Sequence, residues 1–430
     1  MRCNAFPSFT ASRHRLAYGI GSIGTGVFTT VPSVLLLYFL TVEIRIDAAV
    51  AGVIILVPKL LGLIGDPLVG TWSDRLRRRS PAGRRTLMIF GALLTGGGLW
   101  ALFQIPQVYQ ANSLVPAVIY FGCTTGYSLF AVPYSALPAE LAQHPVDLRA
   151  LVSTRLGMAF LGTLIGGVSA PLLVARAGYP AMGMALGAVC VVSMCTFLLT
   201  CRPIGGAVSI EHSTARSIGV GMTNIATVPF KKYIIAFVLL LGAAGAFSAL
   251  LPFLIHDMKA NPDMVGAAML VNIVAALLSS LVWPMLIRRA RLQIIWLTAA
   301  TLMFAAALTI AFAPGADLIL FLGMTIGGAG FCGVQMAGFT GLADLTAEYL
   351  KQGQGGGFVT GIWMAGEKAG LACGPLLAGL GLQYMAFTTS GSAARSLMAT
   401  IPTTLALLSI IVIGFERIGG KGISSGLLTV

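Results

Sequence analysis

Five charged side chains lie inside long apolar stretches of this chain: Lys59, Asp66, Arg155, Glu367 and Lys368. A charge held in the apolar interior of a bilayer costs about 2.5 kcal/mol or more. Groups kept at that cost are the first candidates for chemistry: proton or cation binding, or contact with a polar solute. Lys59 and Asp66 are seven residues apart. On a helix that is two turns, so they share one face about 10 Å apart. They can be linked electrostatically, but not by direct contact. Glu367 and Lys368 are adjacent, so a helix points them about 100° apart, toward different neighbours. Arg155 sits one turn inside its apolar stretch, where snorkelling to the interface competes with a functional role.

These residues are exceptional because of their surroundings. Of 430 residues, 57% are hydrophobic and 10% charged, and mean hydropathy is +0.90. Soluble domains carry roughly 25% charge. The composition excludes an ordinary soluble domain and a disordered chain. At about 20 residues per crossing, it supplies about twelve membrane helices and little else. Apolar runs fall at 16–40, 48–71, 86–105, 112–137, 151–174, 180–200, 233–255, 263–287, 292–313, 317–341, 356–383 and 398–415. They lack the two-residue alternation of a membrane barrel, and backbone groups in lipid must be satisfied within the segment, so helices follow. The basic start, Met1–Arg15, leads into an apolar run too long for a signal peptide and is read as part of a retained first helix. The polar stretch 201–232 divides the chain into two halves, 1–200 and 233–430, and reads as a cytoplasmic linker.

The net charge of +13 is a topology signal rather than a nucleic-acid footprint. With the N-terminus inside, 20 of the 27 Lys and Arg residues fall on inner segments and 4 on outer ones. Both termini are therefore expected in the cytoplasm, with an even number of spans. Seven cysteines with no CxxC pair, and four scattered histidines, predict neither a disulfide framework nor a metal site. Glycines four apart, such as Gly162 and Gly166, Gly183 and Gly187, Gly323 and Gly327, and Gly366, Gly370 and Gly374, predict close helix seams.

One loop carries a specific pattern. In GDPLVGTWSDRLRRRSPAGRR, residues 65–85, Asp66-Pro67, Gly70, Asp74-Arg75 and Gly83-Arg84 follow in order. A helix is expected to end at Asp66-Pro67 and Gly70, with a tight basic loop after it. Asp74 is placed to pair with an arginine or to cap a helix end.

This segment resembles the inner-loop motif of the major facilitator superfamily, and in detail that of the glycoside–pentoside–hexuronide:cation symporters, the melibiose permease-like family. YGIGSIGTG at 18–26 is similar to that family's first-helix start. VPYSALPAEL at 132–141, with Arg149 and Arg155 after it, is similar to its PYxALxAEL segment. Residues 342–370, ending in Lys368-Ala369-Gly370, are similar to its stretch joining helices ten and eleven. The resemblance implies an all-α membrane protein with twelve transmembrane helices in two six-helix bundles, the major facilitator fold, working by alternating access. It implies a symporter of the cytoplasmic (inner) membrane that moves a small sugar- or glycoside-like solute, driven by sodium or protons and needing no other cofactor. It also implies cation-coupling roles for Asp66, Lys368 and Lys59, and substrate contact for Arg155. Asp66, Pro67, Gly70, Asp74, Arg75, Gly83 and Arg84 would form the gating motif. Tyr18, Tyr127, Tyr134, Gln335, Trp363 and Glu367 are the remaining candidates for substrate binding, with Tyr120 and Asn272 as further cavity-facing polar groups.

Departures from the family pattern matter as much. Carboxylates usual in the family fall on Gly26, Gly62 and Ala131 here. Losing them weakens a hard-cation site and a hydroxyl-binding site. The alternative reading is therefore an uncoupled facilitator, or a transporter of a non-sugar amphipathic or anionic solute. A lipid-modifying membrane enzyme is disfavoured by the absence of DDxxD and HxxxxD, and ATP-driven transport by the absence of GxxxxGK[ST]. No enzyme activity, nucleic acid or obligatory protein partner is expected, and the chain is expected to act as a monomer in the bilayer.

Overall fold

The computed structural model describes residues 12–104, 112–141, 145–201, 228–258, 263–312, 317–351, 356–388 and 393–414. Their regular structure is helical throughout, with no strand among the described residues. In chain order the helices are α1 (Ser12–Val31), α2 (Ala48–Arg79), α3 (Pro81–Phe103), α4 (Leu114–Leu141), α5 (Pro145–Thr200) and α6 (Val228–Asp257). Then follow α7 (Asp263–Arg289), α8 (Leu292–Ala311), α9 (Asp317–Lys351), α10 (Gly356–Thr388) and α11 (Ala393–Gly414). Two π-helical turns, Pro32–Leu36 and Phe39–Glu43, carry α1 on to the far side.

Helix α5 makes two crossings. Its apolar part, Thr154–Thr200, is 47 residues long. At 1.5 Å per residue that is about 70 Å, twice what a bilayer core needs. The chain breaks at Gly178, whose φ of +79° suits a residue without a Cβ. Neighbours along α1 reveal the reversal. Before the break, Gly19 lies against Thr154 and Met158, and Val27 against Gly166, so the register rises. After it, Gly21 lies against Phe197 and Gly24 against Cys190, so the register falls. Ten helices are long and apolar enough to cross a membrane. With α5 counted as two and α10 added, the described residues supply twelve membrane-length segments.

Two bundles follow from the packing. Helices α1, α3, α4 and α5 pack on one another, with α2 against α4. Helices α6, α8, α10 and α11 pack together, with α7 against α9. The glycine seams lie where expected and bring backbone onto backbone. A Cβ on Gly187 would meet the Gly96 carbonyl, one on Gly370 the Val238 carbonyl, and one on Gly374 the backbone of Ala246. Gly333 leaves room for the Trp283 ring, whose Nε1 donates to the Ala329 carbonyl at 2.9 Å.

Close contacts between the bundles gather at one end. Gly52 lies against Leu376, Gly379 against Ala48, Gly266 against Val168, and Gly167 against Ile273. Tyr38 stacks edge-on to Phe253 at the same end, with ring centroids 4.9 Å apart. The opposite end carries the basic residues of the α2–α3 and α7–α8 junctions. There the inner lengths of α2 and α7 are exposed, as at Ile64, Leu68 and Trp72, and at Leu278, Leu281 and Met285. Close packing between the bundles is thus observed at the end away from these basic junctions.

The basic segment departs from expectation. Helix α2 does not end at Asp66-Pro67 and Gly70; it continues through Pro67 to Arg79. Apart from the two prolines, 58 and 67, its residues support a helix, and a proline removes one ladder hydrogen bond without forbidding the next turn. The loop shrinks to Ser80, whose extended backbone and Oγ cap α3 by accepting from Ala82 N at 3.2 Å, with Pro81 in the first turn. The expected linker at 201–232 falls mainly outside the described residues.

Candidate functional site

An ion pair between Lys368 Nζ and Asp66 Oδ2 crosses from α10 to α2, and so from one bundle to the other. It is the charged contact between the bundles among the described residues. Both groups are partly open to the space between the bundles. The second oxygen of Asp66, Oδ1, is buried without a partner. Beside it is Gly62, where an added Cβ would meet only Asp66 Oδ1, at 3.9 Å. The glycine that stands where the family has a carboxylate thus leaves open space next to Asp66. Lys59 shares this helix face, and among the described residues neither a hydrogen bond nor an ion pair reaches it.

Glu367 turns away from its neighbour Lys368, as the helical angle requires. Its Oε1 accepts from Gln335 Nε2 of α9 at 3.3 Å. Gln335 Oε1 is buried and unpartnered. Across the gap, the hydroxyl of Tyr127 on α4 lies within electrostatic reach of both Glu367 and Arg155. Four helices from the two bundles, α4, α5, α9 and α10, thus bring polar groups into electrostatic reach of one another. Tyr127 is itself held by stacking on Phe28 of α1, centroids 5.1 Å apart.

The α1–α4 junction explains why Tyr18 and Tyr134 are where they are. Pro138 has no N–H, so the Tyr134 carbonyl lacks its helical donor. Tyr18 Oη donates to that carbonyl at 3.2 Å, and Tyr134 Oη donates back to the Tyr18 carbonyl at 2.5 Å. With the Tyr134 proton so used, Ser22 Oγ donates to Tyr134 Oη at 2.8 Å. The two rings stack at 4.8 Å, and Phe197 closes the cluster edge-on. Arg155 lies over the Tyr134 ring, its guanidinium carbon 5.5 Å from the centroid. Arg155 has no carboxylate partner among the described residues.

Several expected ligands are built into the bundles rather than open to the space between them. Tyr18, Tyr134 and Tyr120 are fully buried, and Trp363 is too. Trp363 stacks on Phe237 at 4.8 Å in the core of the second bundle. Its apolar neighbours on α6 and α8 decide its direction, which its own sequence segment does not encode. Asn272 donates to the Met324 carbonyl at 3.0 Å and serves the α7–α9 seam. Tyr127, Arg155, Gln335, Glu367, Asp66 and Lys368 are instead only partly buried. Ser22 is a polar partner that sequence reasoning missed; the only signal was its place in YGIGSIGTG.

Among the gating residues, Arg84 is buried and donates from Nη2 to the Pro133 carbonyl at 2.6 Å, tying α3 to α4 beside the tyrosine pair. Gly70 approaches Val132 of α4, with room for a Cβ at 3.6 Å. Gly83 lies close to Leu76 across the Ser80 turn. Pro67 and Arg75 are exposed on α2. The Asp74 side chain, and Arg149, lie outside the residues whose side chains are described.

Gly26 is not an emptied ligand position. A Cβ there would collide with the Ala159 carbonyl and the Thr163 amide, and one at Gly162 with the Ile23 carbonyl. The family's carboxylate has been replaced by helix-on-helix contact.

Residues 17–418 match the family described as MFS/sugar transport protein. The chain is 30% identical over 185 residues to the putative glycoside/cation symporter YagG of Escherichia coli (strain K12), an alignment covering 42% of this chain and 40% of that protein. It is 26% identical over 287 residues to the uncharacterized symporter YjmB of Bacillus subtilis (strain 168), covering 64% and 62%. The chain thus spans less than two thirds of the length of these curated relatives. The crystal structure of the nucleoside transporter NupG superposes with a TM-score of 0.67 at 13% identity, covering 93% of this chain and 97% of that one. At that identity the likeness concerns the fold alone.

Proposed function

The chain belongs to the MFS/sugar transport protein family, and on that footing we propose that it is a secondary active transporter of a small organic solute, coupled to protons or sodium. The observation that carries this reading is a pair of bundles packed closely at one end, with Asp66 and Lys368 joined between them further along α2 and α10. Such an arrangement is one half of an alternating-access cycle: closing the basic end and opening the other exposes the same polar groups to the opposite side. From the charge bias we read the basic end as cytoplasmic, the termini as inside, and the state described as open to the inside. We place the boundary between the bundles within 201–232 and the protein, as a monomer, in the cytoplasmic membrane.

Solute recognition falls to Arg155, Tyr127, Gln335 and Glu367. Glycosides are the first substrate class to consider, because a relative is named as a glycoside/cation symporter. A specific observation favours a second reading, an anionic organic solute: Arg155 lies over the Tyr134 ring, within electrostatic reach of Tyr127, with no carboxylate partner among the described residues. An unpaired guanidinium in a partly desolvated cleft suits a carboxylate or sulfonate bidentately.

Solute counterflow with purified protein in proteoliposomes tests the proposal. The panel holds neutral glycosides, uronic acids and sulfonated sugars, with imposed proton or sodium gradients. Saturable exchange of one class, concentrated by one gradient, is expected. Exchange that equilibrates without concentration would make the protein an uncoupled facilitator. No exchange of any solute would sink the transport reading.

A further inference from the structure

We propose that Glu367 and Gln335 form an acid–amide proton site, and that Glu367 rather than Asp66 is the carboxylate that takes up the coupling proton. The proposal rests on the transporter reading above and names its driving ion and the group that carries it.

Two observations point to Glu367. Asp66 already has a cation: the Lys368 ammonium occupies Oδ2. A proton arriving there must break an ion pair in a partly desolvated setting. Among the described residues Glu367 has no such partner. It holds a single hydrogen bond, accepted at Oε1 from Gln335 Nε2. The amide oxygen of the same Gln335 is buried and unsatisfied. A buried acceptor without a donor carries an uncompensated desolvation cost.

Protonation of Glu367 removes that cost. A proton from water in the basic-end opening adds to the free carboxylate oxygen of Glu367. The resulting O–H donates to Gln335 Oε1, while Gln335 Nε2 continues to donate to Glu367 Oε1. The result is a closed ring of two hydrogen bonds, neutral overall, that satisfies every polar atom of both side chains facing each other. Release of the proton to water reopens one bond. Neutralising the carboxylate also removes a charge from the gap between the bundles, which favours closing it.

The surroundings support this assignment. From α9, Gln335 meets Glu367 directly. From α2 come Asp66, paired with Lys368 beside it, and Lys59 further along the helix. From α4 and α5, Tyr127 lies within electrostatic reach of both Glu367 and Arg155. Helix α6 meets α10 at Gly366 and Gly370 with the apolar side chains of Ile234, Val238 and Leu241, while its Tyr233 turns to Trp296. Arg395 of α11 lies near the far end of that helix.

Infrared difference spectroscopy on the purified full-length protein in lipid nanodiscs, taken across an acid jump, tests it without any solute. A protonated-carboxyl carbonyl band is expected in the wild type and in Asp66→Asn, and is expected to vanish in Glu367→Gln. In Gln335→Leu the band is expected to move to higher frequency, because the acid has lost its hydrogen-bonded partner. A band unchanged in Glu367→Gln, or lost in Asp66→Asn, overturns the proposal. If Glu367→Gln does not yield folded protein, the frequency in Gln335→Leu decides alone: no shift overturns it. Because nothing is transported in this measurement, an unsuccessful solute screen leaves its outcome readable.

Discussion

Asp66 and Lys368 are separated by 302 positions in the chain, yet their side chains form an ion pair between the two bundles. One partner of the pair is the acid the family uses for cations, the other the lysine of its helix eleven. With Gly62 empty beside it, the ammonium stands where a mobile cation would need a second carboxylate. Neutralising one partner alone, as in Lys368→Met or Asp66→Asn, strands a charge. For a pair this open to solvent we expect a loss of about 1–2 kcal/mol of stability, less than for a dry pair. The double variant Asp66→Asn/Lys368→Met is expected to recover most of it. Thermal unfolding of the three variants checks this; additive losses would mean the pair is not coupled.

The Gly26 seam should not tolerate the family's acid. Gly26→Asp is expected to lower expression and thermal stability sharply, by several kcal/mol, because the new side chain meets the α5 backbone rather than a cavity. Gained affinity for neutral sugars in a folded Gly26→Asp protein would contradict the packing.

Tyr134 ties α1, α4 and α5 together through its hydroxyl and its ring. Tyr134→Phe keeps the ring under Arg155 but removes two hydrogen bonds, and about 1–3 kcal/mol of stability should go with them. Solute affinity should change little if Arg155 is placed by the ring. A large affinity loss with unchanged melting would assign the hydroxyl to the solute instead.

Arg155→Gln separates the two substrate readings. For an anionic solute, binding is expected to weaken about tenfold or more, as loss of a charge-assisted contact of about 1.5–3 kcal/mol requires. Arg155→Lys should recover only part, since the fork geometry is lost. Isothermal titration with matched acid and neutral solutes measures it. Equal effects on both would remove the anion preference.

The closed end offers a direct test of the cycle. Gly167 of α5 and Met269 of α7 approach across the bundle interface, where a Cβ on Gly167 would lie 3.9 Å from that of Met269, a spacing a disulfide can bridge. A disulfide between Gly167→Cys and Met269→Cys should arrest transport and leave the basic end permanently accessible to polar reagents. Restoration by reductant is expected. Undiminished transport in the oxidised protein would mean this end does not open.

The sequence by itself determined the class and the cast. Apolar run lengths allow only helices in lipid, so eleven helices, one of them broken at Gly178, follow closely from composition. The bias of Lys and Arg sets an expected orientation, and the cost of intramembrane charge singled out Lys59, Asp66, Arg155, Glu367 and Lys368. What one strand of text cannot hold is which groups meet across hundreds of residues. Packing alone chose Lys368 for Asp66 and Gln335 for Glu367, and turned Trp363 inward onto Phe237. The extension of α2 through Pro67 was likewise hidden, because a proline weakens the helix locally while neighbouring helices decide whether it stops. The same holds for glycine. Gly26 and Gly62 look alike as missing acids, but the tertiary structure presses one against a backbone and leaves the other facing open space. Side-chain volume is written in the sequence; the distance to the next helix is not.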